Sequence, residues 1–277
     1  MNNTFSFLIF TLLFMIFLST AAFSQSDSDL AKQTQNPLAN LISLPLQNNF
    51  GFNVGPHDRT KYTLNIQPVV PFELTEKLNL ITRTIFPLIY QPDIIKSSGG
   101  VFGIGDTTLT AFLSPKASGK FVWGVGPILL LPTATDDNLG TGKWGAGASI
   151  VALVTPAPWV IGFVASNVWS FAGDSDRSDV NLFTLQYFIN YNLPNGWYLT
   201  SSPINTANWE QEDGNKWTIP VGGGGGKVIR IGKLPVNIQA QVFYNVEKFE
   251  KGLPEPLPDV SAADWQFRFQ MQFLFPK

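Results

Sequence analysis

A single histidine, His57, and the absence of cysteine leave this 277-residue chain few routes to acid–base, nucleophilic or metal chemistry. His57 stands in Gly55–Pro56–His57–Asp58, a turn signal. No serine or carboxylate is paired with it by spacing, as a His–Ser pair or a catalytic triad requires. Thiolate zinc sites need cysteine, and one histidine among dispersed carboxylates makes no other ligand set. Gly222–Gly226 is a run of five glycines that suggests a phosphate cradle. A P-loop, however, continues into Lys-Ser/Thr and a helix. Here Lys227 leads into Val228 and Ile229 within a strand pattern, so the run reads as strand bending or close packing in the interior. The chain is expected to be no enzyme, with no catalytic residue, metal or cofactor. The charges left to explain are Arg83 and Arg268, which fall inside apolar segments, and what they do depends on the elements that carry them.

Composition narrows those elements. Charged residues make up 14% of the chain, against about 25% in an average soluble protein. Gly (24), Pro (20) and Phe (23) are abundant. A disordered chain would have more charge and fewer aromatics. A net charge of −2 lacks the basic excess of a nucleic-acid binder. At the start, Phe5 to Leu18 is almost wholly apolar and is followed by small residues up to Ser24. This reads as a signal peptide over 1–24, although no Lys or Arg precedes Lys32. The run is short of the roughly 20 residues a membrane helix needs. The mature chain is expected as a periplasmic lead over 25–40 and one β-barrel over 41–277.

The remainder alternates with a period of two. Trp265 to Phe275 (WQFRFQMQFLF) sets Trp265, Phe267, Phe269, Met271, Phe273 and Phe275 against Gln266, Arg268, Gln270, Gln272 and Leu274. Val236 to Val246 and Phe183 to Leu193 repeat the pattern with Asn, Gln and Thr on the polar face. A strand separates such residues onto two faces, whereas a helix scatters them. Twelve strands are expected, near 41–54, 60–73, 77–90, 106–116, 119–133, 143–156, 158–171, 180–193, 196–208, 216–230, 234–248 and 263–275. They are long for a sandwich, whose strands average about 5–6 residues. Their polar face carries amides where a soluble sheet would expose Lys and Glu. Tight connections alternate with longer polar ones, such as Gly173–Asp179 and Phe249–Ala262. The expected fold is therefore all-β: a transmembrane antiparallel up-and-down barrel of about 12 strands, with short periplasmic turns and longer extracellular loops.

That architecture orients the candidate residues. A charge facing lipid at mid-depth costs about 2–4 kcal/mol, so Arg83 and Arg268 are expected to point into the lumen. Glu247, Gln239, Gln241, Gln266, Gln270 and Gln272 should share that lining. The arginines would form either a solute-selecting constriction or an internal structural network, and a small barrel fills much of its own interior. Trp144, Trp159, Trp169, Tyr191, Trp197, Trp209, Trp217 and Trp265 lie toward strand ends, where aromatic girdles meet the membrane interfaces. Most of the 20 acidic residues fall in or beside the long loops. Such loops either simply carry solvated charge or raise the local cation concentration at an outer mouth.

Several strings also resemble a bacterial family. WTIPVGGGGGK (217–227), IGKLPVN (231–237) and ADWQFRFQMQFLFPK (263–277), with WGVGPILLLPTATD (123–136) and LGTGKWGAG (139–147) upstream, are similar to outer-membrane channels linked to the meta-cleavage pathway of phenol degradation. The resemblance implies an outer-membrane barrel with a transport role and supplies no catalytic residues. Pro276 and Lys277 follow the last strand, where barrels commonly finish on an aromatic. The function expected is passive diffusion of small solutes, hydrophobic or aromatic compounds among them, through a polar lumen. The alternative is a plugged barrel acting through its acidic loops. Expected partners are outer-membrane lipid, the barrel insertion machinery and the solutes, with no nucleic acid; the oligomeric state is left open.

Overall fold

The computed structural model describes residues 27–94, 96–116, 119–251 and 260–275. The expected signal peptide, the turn at 117–118 and the chain end at 276–277 lie outside the described residues. The wall has twelve strand positions, as the alternation implied. In order they are β1 (Ile42–Val54), β2 (Arg59–Ile66) continued by β3 (Val69–Glu73), β4 (Leu78–Pro92), and β5 (Gly100–Ile104) continued by β6 (Thr107–Pro115). Then come β7 (Phe121–Leu131), β8 (Lys143–Val154), β9 (Trp159–Gly173), β10 (Asn181–Asn192), and β11 (Trp197–Ser201) continued by β12 (Ile204–Asn208). The last three are β13 (Trp217–Ile231), β14 (Leu234–Glu247) and β17 (Trp265–Phe275); between the final two, β15 (Glu250–Lys251) and β16 (Val260–Ser261) pair as a small hairpin.

Every neighbouring pair is antiparallel, and the ring closes where β17 meets β1, from Ile42↔Phe275 to Phe52↔Trp265. Closure satisfies backbone hydrogen bonds that no water could satisfy inside a membrane and removes the free edges of an open sheet. Among the described residues no helix is long and apolar enough to cross a membrane. An even strand count brings the start of β1 and the end of β17 to the same side, that of the short turns.

Three strand positions are interrupted, two of them, the second and the ninth, within spans expected to be continuous. The second breaks at Gln67–Pro68, the fourth at Gly105–Asp106 and the ninth at Ser202–Pro203. Two of these contain proline, which has no N–H to give to a ladder. The third lets Asp106 turn and accept hydrogen bonds from the Thr141 N–H (2.6 Å) and hydroxyl (2.7 Å), tying the wall to the loop before β8. Gly100–Ile104 was expected to be loop. It instead extends the wall against the outer end of β4.

Outside, the barrel exposes a band of large apolar residues, among them Val125, Leu129, Ile150, Ile161, Phe163 and Val242. Inside, the turn-side half is packed with apolar side chains. Ile81, Phe112, Val151, Leu153, Val160 and Phe188 form one buried cluster, joined by Leu38 from the segment ahead of β1. That segment differs from the simple lead expected over 25–40. It forms helix α1 (Asp27–Thr34), whose Leu30 and Ala31 are buried against Tyr198 and Val228. Gln35 and Asn192 then exchange two side-chain hydrogen bonds of 2.9 and 3.1 Å, fixing the segment to the end of β10. The glycine run finds its reason here, since a Cβ at Gly226 would run into the ring and hydroxyl of Tyr198, the residue on which α1 rests.

Candidate functional site: a polar cavity between the plug and the wall

Above the N-terminal segment the interior opens into a cavity of about 150 Å³. Its floor is the chain from Gln33 to Leu41, and its walls come from the inward faces of β1, β4, β10, β11, β14 and β17. Arg83, Gln239, Gln241, Arg268, Gln270 and Gln272 all line it, so alternation alone placed six of the eight expected lumen residues together. Gln266 lines a second space of about 330 Å³ nearer the loops, where its amide donates to Asn245 Oδ1 at 2.8 Å. Glu247 is exposed at the loop end of β14 and borders neither space. The internal network anticipated for the arginines therefore contains no Glu247.

What the two guanidiniums touch is a chain of amides. Arg83 Nη2 donates to Gln67 Oε1 (2.7 Å), Gln67 Nε2 to Gln47 Oε1 (3.1 Å), and Gln47 Nε2 to Asn49 Oδ1 (2.9 Å). Arg268 Nε reaches the same Asn49 oxygen at 3.2 Å, so three amides join the two charges. Arg268 Nη1 also donates to the Ser202 carbonyl at 2.7 Å, and its guanidinium lies 5.0 Å over the Phe243 ring. Gln241 completes the repair of the broken ninth position. Its Oε1 accepts the Ser202 N–H at 3.0 Å, and its Nε2 donates to the Ser202 hydroxyl at 2.8 Å. The backbone groups freed at Ser202–Pro203 are thus answered from the interior, as buried peptide groups must be.

Reasoning from sequence missed Gln47, Asn49, Gln67, Ser202 and Asn237. The signals were present: Gln47 and Asn49 alternate in β1, and Pro68 and Pro203 mark the interruptions. Tyr198 donates to Asn237 Oδ1 at 2.8 Å and closes the cavity toward α1. Val69, Val164 and Phe188 add apolar surface to the lining, so the lumen is mixed and not simply lined by amides.

The aromatic residues sort to the two ends of the barrel. Trp159 and Trp197 are exposed on the turn side, with Tyr191 packed edge-on against Trp159 at 4.8 Å. Trp144, Trp169, Trp209 and Trp265 are exposed on the loop side, where Trp209 meets Trp217 edge-on at 5.7 Å. The loop acids are less free than their number suggests. Asp179 pairs with Lys143 (3.2 Å), Asp137 with Arg177 (3.6 Å) and Asp213 with Lys216 (2.5 Å). Asp264 pairs with Lys248, which also meets Glu250 at 3.1 Å. His57 lies in the turn between β1 and β2, away from both spaces.

This architecture has solved counterparts. An outer-membrane channel from Pseudomonas putida F1 superposes with a TM-score of 0.63 at 15% identity, covering 85% of this chain and 94% of that one. A FadL homologue from Pseudomonas aeruginosa gives 0.45 at 9% identity over 87% and 92%. The CymD monoaromatic hydrocarbon channel gives 0.45 at 11% over 94% and 95%. The first of these shows the same fold; the other two superpose too loosely to bear on it. No curated protein matches the chain in sequence. A family profile matches residues 46–253, from within β1 to beyond β15. On that span, which takes in most of the wall but neither the floor of the cavity nor β17, the chain belongs to the family described as "Putative MetA-pathway of phenol degradation".

Proposed function

We propose that the protein is an outer-membrane channel that passes small solutes, hydrophobic or aromatic compounds among them, by passive diffusion through the barrel. The observation that carries this reading is the polar cavity enclosed by the closed wall, with a second space nearer the loops. Asn49 borders the loop-side space and bonds Arg268 at the inner one, so the two lie end to end along the interior. An apolar exterior with aromatic residues at both ends supports placement in a bilayer, the tryptophans and tyrosines acting as interfacial belts. Residues 1–24 would direct export, and the barrel insertion machinery would place the chain in the outer membrane.

The docked N-terminal segment favours a second reading, a plugged barrel that acts through its loops. Planar-bilayer recording separates the two. The mature protein, and a form lacking residues 27–40, should both give discrete conductance steps, the truncated form several-fold larger because the floor of the cavity is gone. A folded barrel that stays silent in both forms would establish the plugged reading.

A further inference from the structure

We propose that the inner cavity is a binding site for a small carboxylate-bearing solute, one whose apolar part is about the size of a single ring. The inference deepens the channel reading and rests on it for its role in transport, while the binding itself can be measured without conduction. Arg83 and Arg268 both line the cavity, yet among the described residues no Asp or Glu borders it or the loop-side space. Lys61 lines the loop-side space, so the two spaces hold three cations and, among the described residues, no carboxylate in their lining. Each guanidinium has five N–H donors. Among the described residues Arg83 spends one, on Gln67, and Arg268 spends two, on Asn49 and Ser202. Thr200 adds a buried hydroxyl that lines the cavity with no hydrogen-bond partner among the described residues.

Unspent guanidinium donors inside the barrel call for an anion. The planar fork of arginine suits a carboxylate, which it can grip with two parallel bonds. Val69, cross-strand to Arg83, with Val164 and Phe188, gives the same cavity apolar surface. A cavity of roughly 150 Å³ holds one benzene-sized molecule, the size of the space here, about 150 Å³. Charge and apolar surface in one cavity, with room for one ring, together describe a small aromatic or cyclic acid.

The test is calorimetric titration of benzoate into the purified full-length protein in detergent, with its neutral isostere benzamide, acetate and chloride as comparisons. Benzoate should bind at least tenfold more tightly than benzamide or acetate, and chloride at equal concentration should not displace it. Arg83→Gln should weaken benzoate at least tenfold and leave benzamide unchanged. Arg268 also holds the Ser202 carbonyl, so Arg268→Lys is the milder second variant, retaining charge while losing the fork. Equal binding of benzoate and benzamide by the unmodified protein would overturn the proposal without any variant having to fold. Displacement by chloride would reduce the site to a general anion site and equally overturn it. Bilayer recording keeps the parent reading separate: conduction without charge discrimination sinks the carboxylate site alone, and benzoate binding in a silent barrel sinks the channel alone.

Discussion

At the residue scale the structure turns on which polar groups answer which. Ser202 is the clearest case: its N–H goes to Gln241 and its carbonyl to Arg268, so a gap in the wall becomes an anchor for the interior. The loop side has a comparable device in Lys248, Asp264 and Asn53. The Lys248 ammonium, helped by the Asn53 amide, holds the Asp264 carboxyl below the usual carboxylate range, and Asp264 foremost holds Lys248 above the usual lysine value. A depressed carboxyl contributes stability above its unfolded value of about 3.9, and that contribution is lost as pH falls through the folded value. A raised lysine contributes below about 10.4 and is lost as pH rises through its folded value. The attachment of the β14 end to the start of β17 should therefore be constant across neutral pH and loosen below about pH 4 and above about pH 10.5. Amide hydrogen exchange at Ala262 and Asn245, whose N–H groups bond Phe249 and Asp264 carbonyls, would report it. Protection that does not change through the acid limb would refute the linkage.

At the scale of elements, each strand carries two chemistries on opposite faces, and the faces answer to different solvents. On β8, Ile150 is exposed on the outer face, paired across to Val125 and Ala165, while its neighbours Ser149 and Val151 are buried inside. Ile150→Arg should cost about 2–4 kcal/mol, the penalty for a mid-depth charge against lipid. Phe112, on the inner face of β6, is 2% exposed within the apolar cluster. Phe112→Ala should cost about 3–5 kcal/mol through cavity formation. The Ile150 penalty depends on the bilayer, whereas the Phe112 penalty should persist in detergent; urea unfolding in the two media distinguishes them. Equal losses in both media for Ile150→Arg would mean that its outer face does not meet lipid. Helix α1 belongs to this scale as well. With two apolar residues buried and one amide pair at its exit, it is a short element held by tertiary contacts, since eight residues are too few for a stable isolated helix.

For the whole molecule, acidic loops surmount a basic interior. Coulomb interactions weaken in water and are screened beyond about 8 Å at physiological salt, whereas charges in a narrow interior are screened far less. Many loop acids are already neutralised by partners: Asp179, Asp137, Asp213 and Asp264 each hold a Lys or Arg. The interior should therefore set selectivity. In a salt gradient the reversal potential should indicate anion preference, and Glu210→Gln with Glu212→Gln, both in the loop before β13, should leave its sign unchanged. Reversal of sign on neutralising those loop acids would show that the mouth dominates.

Sequence by itself determined the wall. A side-chain period of two, strand lengths beyond those of a sandwich, and turns alternating with loops are local properties, and they yielded twelve strands, the inward placement of Arg83, Gln239, Gln241, Arg268, Gln270 and Gln272, and the aromatic ends. Glu247 is exposed at the loop end of β14, where parity says which way a residue faces but not how far along the barrel the enclosed space reaches. Only the tertiary structure decided what fills the interior. Residues 27–41 carry little regular patterning, and their docking depends on Leu30, Ala31 and Leu38 meeting Tyr198, Val228 and Phe112, partners far away in the chain. The amide chain from Arg83 to Arg268 is likewise assembled from four strand positions that neighbour one another only once the ring has closed between β17 and β1. Periodicity sets which face a residue presents, and closure of the barrel sets whom it meets there.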